Sequence, residues 1–245
     1  MAKPRRKQKK RGGGFLFLLL LCAAFIACYM YVFRVKTIQI VGVDESLYDH
    51  VAVLSGISRG ESMFALKENR VRMNLSADPY LEYISMTREY PSTVVIEMRQ
   101  RAAAGAIAYS GIYLLVDDEG LILETTPSLP PGMPSVTSVK VSSANIGTKL
   151  ASTQSDQIRI VLEIISSLES QDALSLVRQI DVDERESLYL VTFSGVKVVL
   201  GDESRLSDKV AWMRASLEEM ARLGYSGGRI DVSSGKNAVY APTEG

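Results

Sequence analysis

Nineteen consecutive residues without a charge, Phe15 to Phe33, follow directly on a tail whose only charges are positive. As a helix they would extend about 28 Å at about 1.5 Å per residue, close to the ~30 Å hydrocarbon core of a bilayer. Seven basic residues precede them: Lys3, Arg5, Arg6, Lys7, Lys9, Lys10 and Arg11. Gly12-Gly13-Gly14 separates the two stretches, and only Arg34 and Lys36 follow closely on the far side. That asymmetry orients a single-pass helix with its N-terminus in the cytoplasm and the rest of the chain exported. The seven bases are thus membrane-orienting residues that face anionic lipid. Tyr29 and Tyr31 fall near the far end, where amphipathic rings favour the interface.

Other readings of this segment fit less well. Residues 5–11 resemble a nuclear localisation signal, but they abut the apolar run. A cleaved signal peptide has a shorter apolar core and a small-residue exit, whereas this run leaves through Val32-Phe33-Arg34. Leu21 before Cys22 is too bulky for lipoprotein processing, and Phe25-Ile26-Ala27-Cys28 matches it weakly. Both cysteines lie in the span, so the exported residues hold no disulfide or thiolate zinc site. They must fold on their own apolar core, and they are numerous enough to do so.

Net charge is zero, from 28 bases and 28 acids. That balance argues against a generally basic nucleic-acid binder. It also hides a partition: the seven tail bases meet no acid before Arg34, while the exported residues hold 21 bases against 28 acids. The exported part therefore favours basic partner surfaces over anionic polymers.

The exported chain reads as α+β in two domains, 35–101 and 102–240, with a tail at 241–245. In the first, Val35 to Val41 alternates as a strand and stops at Gly42. Asp44 is positioned to cap a helix bearing Leu47, Val51 and Leu54. A second helix covers Ala65 to Leu75 and ends before Asp78-Pro79. Ile84–Arg88 and Thr93–Met98 are strands around a Tyr90-Pro91-Ser92 turn. The order is β-α-α-β-β. In the second domain, Tyr113–Leu123 reads as a hairpin with an acidic, Gly-closed turn. Four prolines between 126 and 135 mark a loop. Ser155 is positioned to cap a helix presenting Ile158, Val161, Leu162, Ile165 and Leu168. Strands follow at 179–182, 188–193 and 196–200. A helix at 205–223 carries Leu206, Val210, Met213, Leu217, Met220 and Leu223. Short strands at 230–232 and 237–240 close the chain.

This succession resembles the FtsQ/DivIB family of bacterial cell-division proteins. The β-α-α-β-β unit after an apolar span looks like a POTRA domain. Arg88-Glu89-Tyr90-Pro91-Ser92-Thr93-Val94-Val95-Ile96-Glu97 is similar to that family's hairpin. Tyr113–Leu123 and Gly195-Val196-Lys197-Val198-Val199-Leu200-Gly201 resemble two further family segments. Each motif is short; their order after a basic tail and one span carries the likeness. The resemblance implies a division-site scaffold of the cytoplasmic membrane. It would join FtsL-like and FtsB/DivIC-like bitopic proteins to septal wall synthesis. It implies no cofactor, no metal and no small-molecule substrate.

Enzymatic readings find little support in the residues. Gly224-Tyr225-Ser226-Gly227-Gly228 matches a nucleophile elbow, but that motif needs a strand before it, a helix after it and a later histidine. Here a helix precedes and a strand follows, and the only histidine, His50, is upstream. The stretch reads as a helix C-cap and loop. Asp117-Asp118-Glu119 is a solvated turn tip rather than a metal cluster. A Ser-Lys hydrolase has no motif behind it. A POTRA-bearing transport factor is the nearer alternative, although the chain lacks the strand series of a membrane barrel.

An exposed edge strand can accept a partner strand through its unpaired N–H and C=O groups. The final strand is the candidate. The expected partner-binding residues are Asp231, Ser233, Ser234, Lys236, Asn237, Ala238, Val239 and Tyr240. Val232 and Val239 are expected to face the core, with Asp231, Ser233, Lys236, Asn237 and Tyr240 facing out. Several family members carry a basic and an aromatic residue where this chain has Ser233-Ser234. The resemblance therefore implies a different or weaker anchoring here.

Overall fold

The computed structural model describes residues 12–242, leaving aside the side chains of 12–16, Cys28 and Ser155. The seven basic residues of the tail, Lys3 to Arg11, lie outside the described residues. The chain divides into two compact units. One holds the described residues up to Ser76 together with Leu81–Gln100; the other holds Ala77–Tyr80 and the chain from Arg101.

The first unit opens with helix α1, Gly12–Val32. Within the described residues it takes in Gly12-Gly13-Gly14, ahead of the expected Phe15. Phe17 to Leu21, Phe25 and Ile26 are each more than half exposed, so the stretch 17–27 is uncovered on every side, and α1 meets the rest of the unit only further on, where Tyr29 touches Phe64. Among the described residues no helix is long and apolar enough to cross a membrane.

Beyond it come β1 (Thr37–Val41), α2 (Tyr48–Ser55), α3 (Glu68–Leu75), β2 (Leu81–Glu89) and β3 (Thr93–Gln100). The order is β-α-α-β-β. The sheet runs β1-β3-β2, with β1 parallel to β3 and β2 antiparallel to it. Ile40 pairs with Ile96, and both are buried. Val51 of α2 and Val71 and Leu75 of α3 close over this sheet with Met63, Val94 and Met98. Gly42 ends β1 at φ +87, where a Cβ would lie 1.9 Å from the Met98 carbonyl oxygen; only glycine fits.

Two helix starts differ from expectation. Asp44 caps only a short 3-10 turn, Glu45–Leu47, and makes no side-chain capping bond; α2 begins after it. The helix expected from Ala65 begins at Glu68. The backbone before it is held by Arg88, whose guanidinium donates to the carbonyls of Met63 (3.1 Å) and Leu66 (2.7 Å).

The second unit is built on a nine-stranded sheet. Its strands are β4 (Gly105–Tyr109), β5 (Ile112–Val116), β6 (Ile122–Thr126), β7 (Ser135–Val136), β10 (Val177–Asp181), β11 (Leu188–Thr192), β12 (Lys197–Gly201), β13 (Arg229–Asp231) and β14 (Val239–Ala241). A small side ribbon pairs β8 (Val141–Ser143) with β9 (Ala151–Ser152). The large sheet runs β14-β13-β12-β11-β10-β7-β4-β5-β6. Helices α4 (Ser155–Ser170) and α5 (Leu206–Leu223) supply the other side of the core.

The capping position of α4 is Gln154, one residue before the expected Ser155. Its inner face is also rotated: Ile160, Val161, Ile164, Ile165 and Leu168 are fully buried, whereas Ile158 and Leu162 sit at the margin. On α5, Leu206, Val210, Met213 and Met220 are buried as expected, but Leu223 is half exposed and Lys209 is fully buried. The acidic turn is not uniformly solvated. Asp117 is buried and ion-paired with Arg101, and it accepts hydrogen bonds from the N–H groups of Glu119 (3.0 Å) and Leu121 (2.7 Å).

A candidate partner-binding edge

The nine-stranded sheet has two outer strands, β6 and β14. β6 is partly covered by its own chain: Ile122 N–H donates to Thr148 O, and Ile122 O accepts from Gly147 N–H. β14 pairs with β13 on one side, and no strand among the described residues pairs with its other side. The terminal strand is thus a sheet edge with backbone groups available for pairing.

Its boundaries and phase differ from expectation. The strand begins at Val239, so Lys236, Asn237 and Ala238 belong to the approach rather than to the ladder. Its alternation is reversed. Val239 points outward and is 59% exposed, whereas Tyr240 packs against the core and donates its hydroxyl to Gly227 O at 3.3 Å. A one-residue change of phase exchanges the two faces of a strand. Ala238, too, packs against the core, and Val232 is fully buried as expected.

The polar residues expected to meet a partner are engaged in the β13–β14 connection. Asp231 accepts from Ser233 N–H (3.1 Å), Ser233 Oγ (2.7 Å) and Arg229 (3.0 Å). These bonds, led by that of the Ser233 hydroxyl, hold the Asp231 carboxyl below its ordinary range. Ser234 Oγ donates to Asn237 Oδ1 at 2.6 Å and accepts from Lys236 N–H at 3.2 Å. Of the eight expected residues, four therefore build the turn: Asp231, Ser233, Ser234 and Asn237. Lys236 keeps an exposed side chain.

Gly228 lets the terminal strand approach. At φ +99, a Cβ there would stand 2.7 Å from Ala241 O and 2.8 Å from the Tyr240 ring. Tyr240 in turn stacks on Tyr225, with centroids 5.7 Å apart. Gly224, left-handed at φ 76, ends α5 and sends the chain to Tyr225, so the elbow-like sequence is a helix cap.

Beside the edge lies an apolar groove of about 330 Å³. Its wall on α5 is made by Trp212, Ala215, Ser216, Glu219, Met220 and Leu223. Their spacing of three and four puts them on one helical stripe. Trp212 is 41% exposed, Leu223 49% and Tyr225 56%. These exposed rings and aliphatic groups stand beside the unpaired edge. Helical spacing groups Leu223 with the apolar positions of α5 and does not single out Trp212 or Tyr225. The signal was present: Trp212 lies off the stripe defined by Val210, Met213, Leu217 and Met220.

Comparison with known proteins agrees with this architecture. Residues 33–101 match the model of the POTRA domain, FtsQ-type, and residues 106–233 match that of the cell division protein FtsQ/DivIB, C-terminal. The chain belongs to the FtsQ/DivIB family. It is 24% identical over 211 residues to the cell division protein FtsQ of Corynebacterium glutamicum, covering 85% of this chain and 87% of that one. It is 25% identical over 214 residues to DivIB of Clostridium acetobutylicum, covering 85% and 83%. A solved extracytoplasmic domain of DivIB from Geobacillus stearothermophilus matches 50% of this chain and 96% of its own, at 14% identity and a TM-score of 0.34. The FtsQ/DivIB match ends at 233, before β14.

Proposed function

We propose that this FtsQ/DivIB protein is a non-enzymatic scaffold of the division septum. It captures an exported segment of a bitopic division protein by strand addition to β14. One observation carries the reading: the outer edge of β14 is unpaired among the described residues, next to an apolar groove floored by Ala238 and Tyr240. A partner strand takes the backbone edge, and an apolar residue flanking it enters the groove between Trp212 and Leu223. FtsL-like and FtsB/DivIC-like proteins are the partners this reading names.

The rest of the chain serves placement. The basic tail and α1 form a single-pass anchor with the N-terminus in the cytoplasm. An apolar helix whose described side chains are exposed all round needs a nonaqueous surrounding, which supports that role. The unit up to Gln100 presents a juxtamembrane docking surface, and the unit from Arg101 presents the edge.

The test is complementation in cells depleted of the protein. Trp212→Ala with Val239→Lys should accumulate normally and fail to restore septation, giving filaments. Septation restored to the wild-type level by the folded double variant would refute edge capture.

A further inference from the structure

Five ring contacts gather at the far end of α1. Tyr29 stacks on Phe64 at 5.4 Å between centroids, and Phe64 stacks on Tyr90 at 5.8 Å. Phe33 touches all three, at 4.5 Å from Tyr29, 5.6 Å from Phe64 and 5.7 Å from Tyr90. The four rings come from three separate places: the end of α1, the loop before α3, and the turn between β2 and β3.

The backbone holds this cluster in place. Met63 N–H donates to Phe33 O at 3.0 Å, Val35 N–H to Glu61 O at 2.9 Å, and Gly60 N–H to Val35 O at 2.7 Å. Arg34 adds a clamp, donating to Met30 O (3.2 Å) and Gly60 O (2.9 Å). On the other side, the Arg88 bonds to Met63 and Leu66 fix the same loop to β2. Phe64 is therefore pinned beside the helix rather than carried on a free loop.

The unit's fold does not bury these rings. Phe64 is 52% exposed and Tyr90 56%, while the core of the unit is complete without them. They adjoin the apolar helix α1 through their ring contacts with Tyr29 and Phe33. Aromatic rings at the end of an apolar helix favour the layer between hydrocarbon and water.

We infer that the first unit stands on the lipid interface of the outer leaflet through an aromatic foot made by Phe64 and Tyr90. The inference rests on the reading of α1 as a span. The occupant is lipid, because the patch is continuous with a helix that is apolar on every described side. The foot fixes the height and tilt of the unit at the membrane, where α1 alone would leave it free to swivel.

The chain has one tryptophan, Trp212, so a Trp212→Phe background permits site-specific fluorescence on the full-length protein in phosphatidylcholine vesicles. Leu20→Trp, Phe64→Trp and Tyr90→Trp are compared with and without brominated acyl chains. The foot requires blue-shifted emission and bromine quenching at 64 and 90 as well as at 20. Quenching at 20 with water-like emission at 64 and 90 overturns the foot and leaves the span standing. Blue-shifted but unquenched emission at 64 and 90 means that protein covers the rings, which also overturns it. Absence of quenching at all three positions removes the span and the foot together.

Discussion

Lys209 is the residue that departs furthest from expectation. A lysine is almost never fully buried without a partner, yet here its side chain is wholly enclosed in α5. Its Nζ donates to Asp202 O at 2.9 Å and to Asp202 Oδ1 at 2.7 Å. The Lys209 bond, with help from Ser204, pushes the Asp202 carboxyl down to about 2 from its ordinary 3.8. A depressed carboxyl pKa contributes stability that is complete above the unfolded value. That contribution is lost as pH falls through the folded one. The window is therefore about pH 4 down to pH 2. Asp202 is more than half exposed, so screening limits the contribution to about 1 kcal/mol. Asp202→Asn should lower stability by about that amount at pH 7 and flatten the acid dependence between pH 4 and 2. Denaturant titrations across that range provide the check, and parallel curves for the two proteins would contradict the assignment.

Among the elements, the terminal strand depends on a glycine, Gly228. In Gly228→Ala the new methyl would meet Ala241 O and the Tyr240 ring. Its strain, about 1–3 kcal/mol, should loosen β14 from β13. Amide exchange at 239–241 should quicken and partner binding should weaken, although Val239 and Trp212 are unchanged. Exchange equal to wild type would show that the strand tolerates the methyl.

Much of this level was legible in the sequence. Apolar alternation located β1, β3, β11 and β12, and helical spacing located α4 and α5. The β-strand β4 was missed because Gly105-Ala106-Ile107-Ala108-Tyr109 is mostly small and lacks a β-branched run. The phase of β14 was misread because Ala238-Val239-Tyr240 offers an apolar residue at every position, so alternation gives no face. What fixes the phase is tertiary: the Tyr225 ring waiting for Tyr240. Asp231, Ser233 and Ser234 are good turn formers, and their side chains bond within the β13–β14 connection.

At the scale of the molecule, two apolar clusters share no residue, one in each unit. Separate cores predict separate cooperative unfolding. Calorimetry of the protein should resolve two transitions, and Gly42→Ala should lower only that of the first unit, by more than the ~1–3 kcal/mol of backbone strain alone, because the methyl also meets the Met98 carbonyl. A single transition displaced as a whole by that substitution would contradict independent units. The charge divides at a different place, before Arg34. Seven bases without an acid precede Arg34, and the remainder carries 28 acids against 21 bases. A partner segment with basic residues flanking its strand therefore meets a favourable field.

On the proposed function, β14 and the α5 stripe receive the partner. Hydrogen exchange read by mass spectrometry on the full-length protein tests it, with and without the exported segments of FtsL-like and FtsB/DivIC-like proteins. The result expected is slower exchange at 239–241 and along 212–225 on complex formation, and little change at β6. A complex that forms with protection elsewhere and none at 239–241 would contradict the claim.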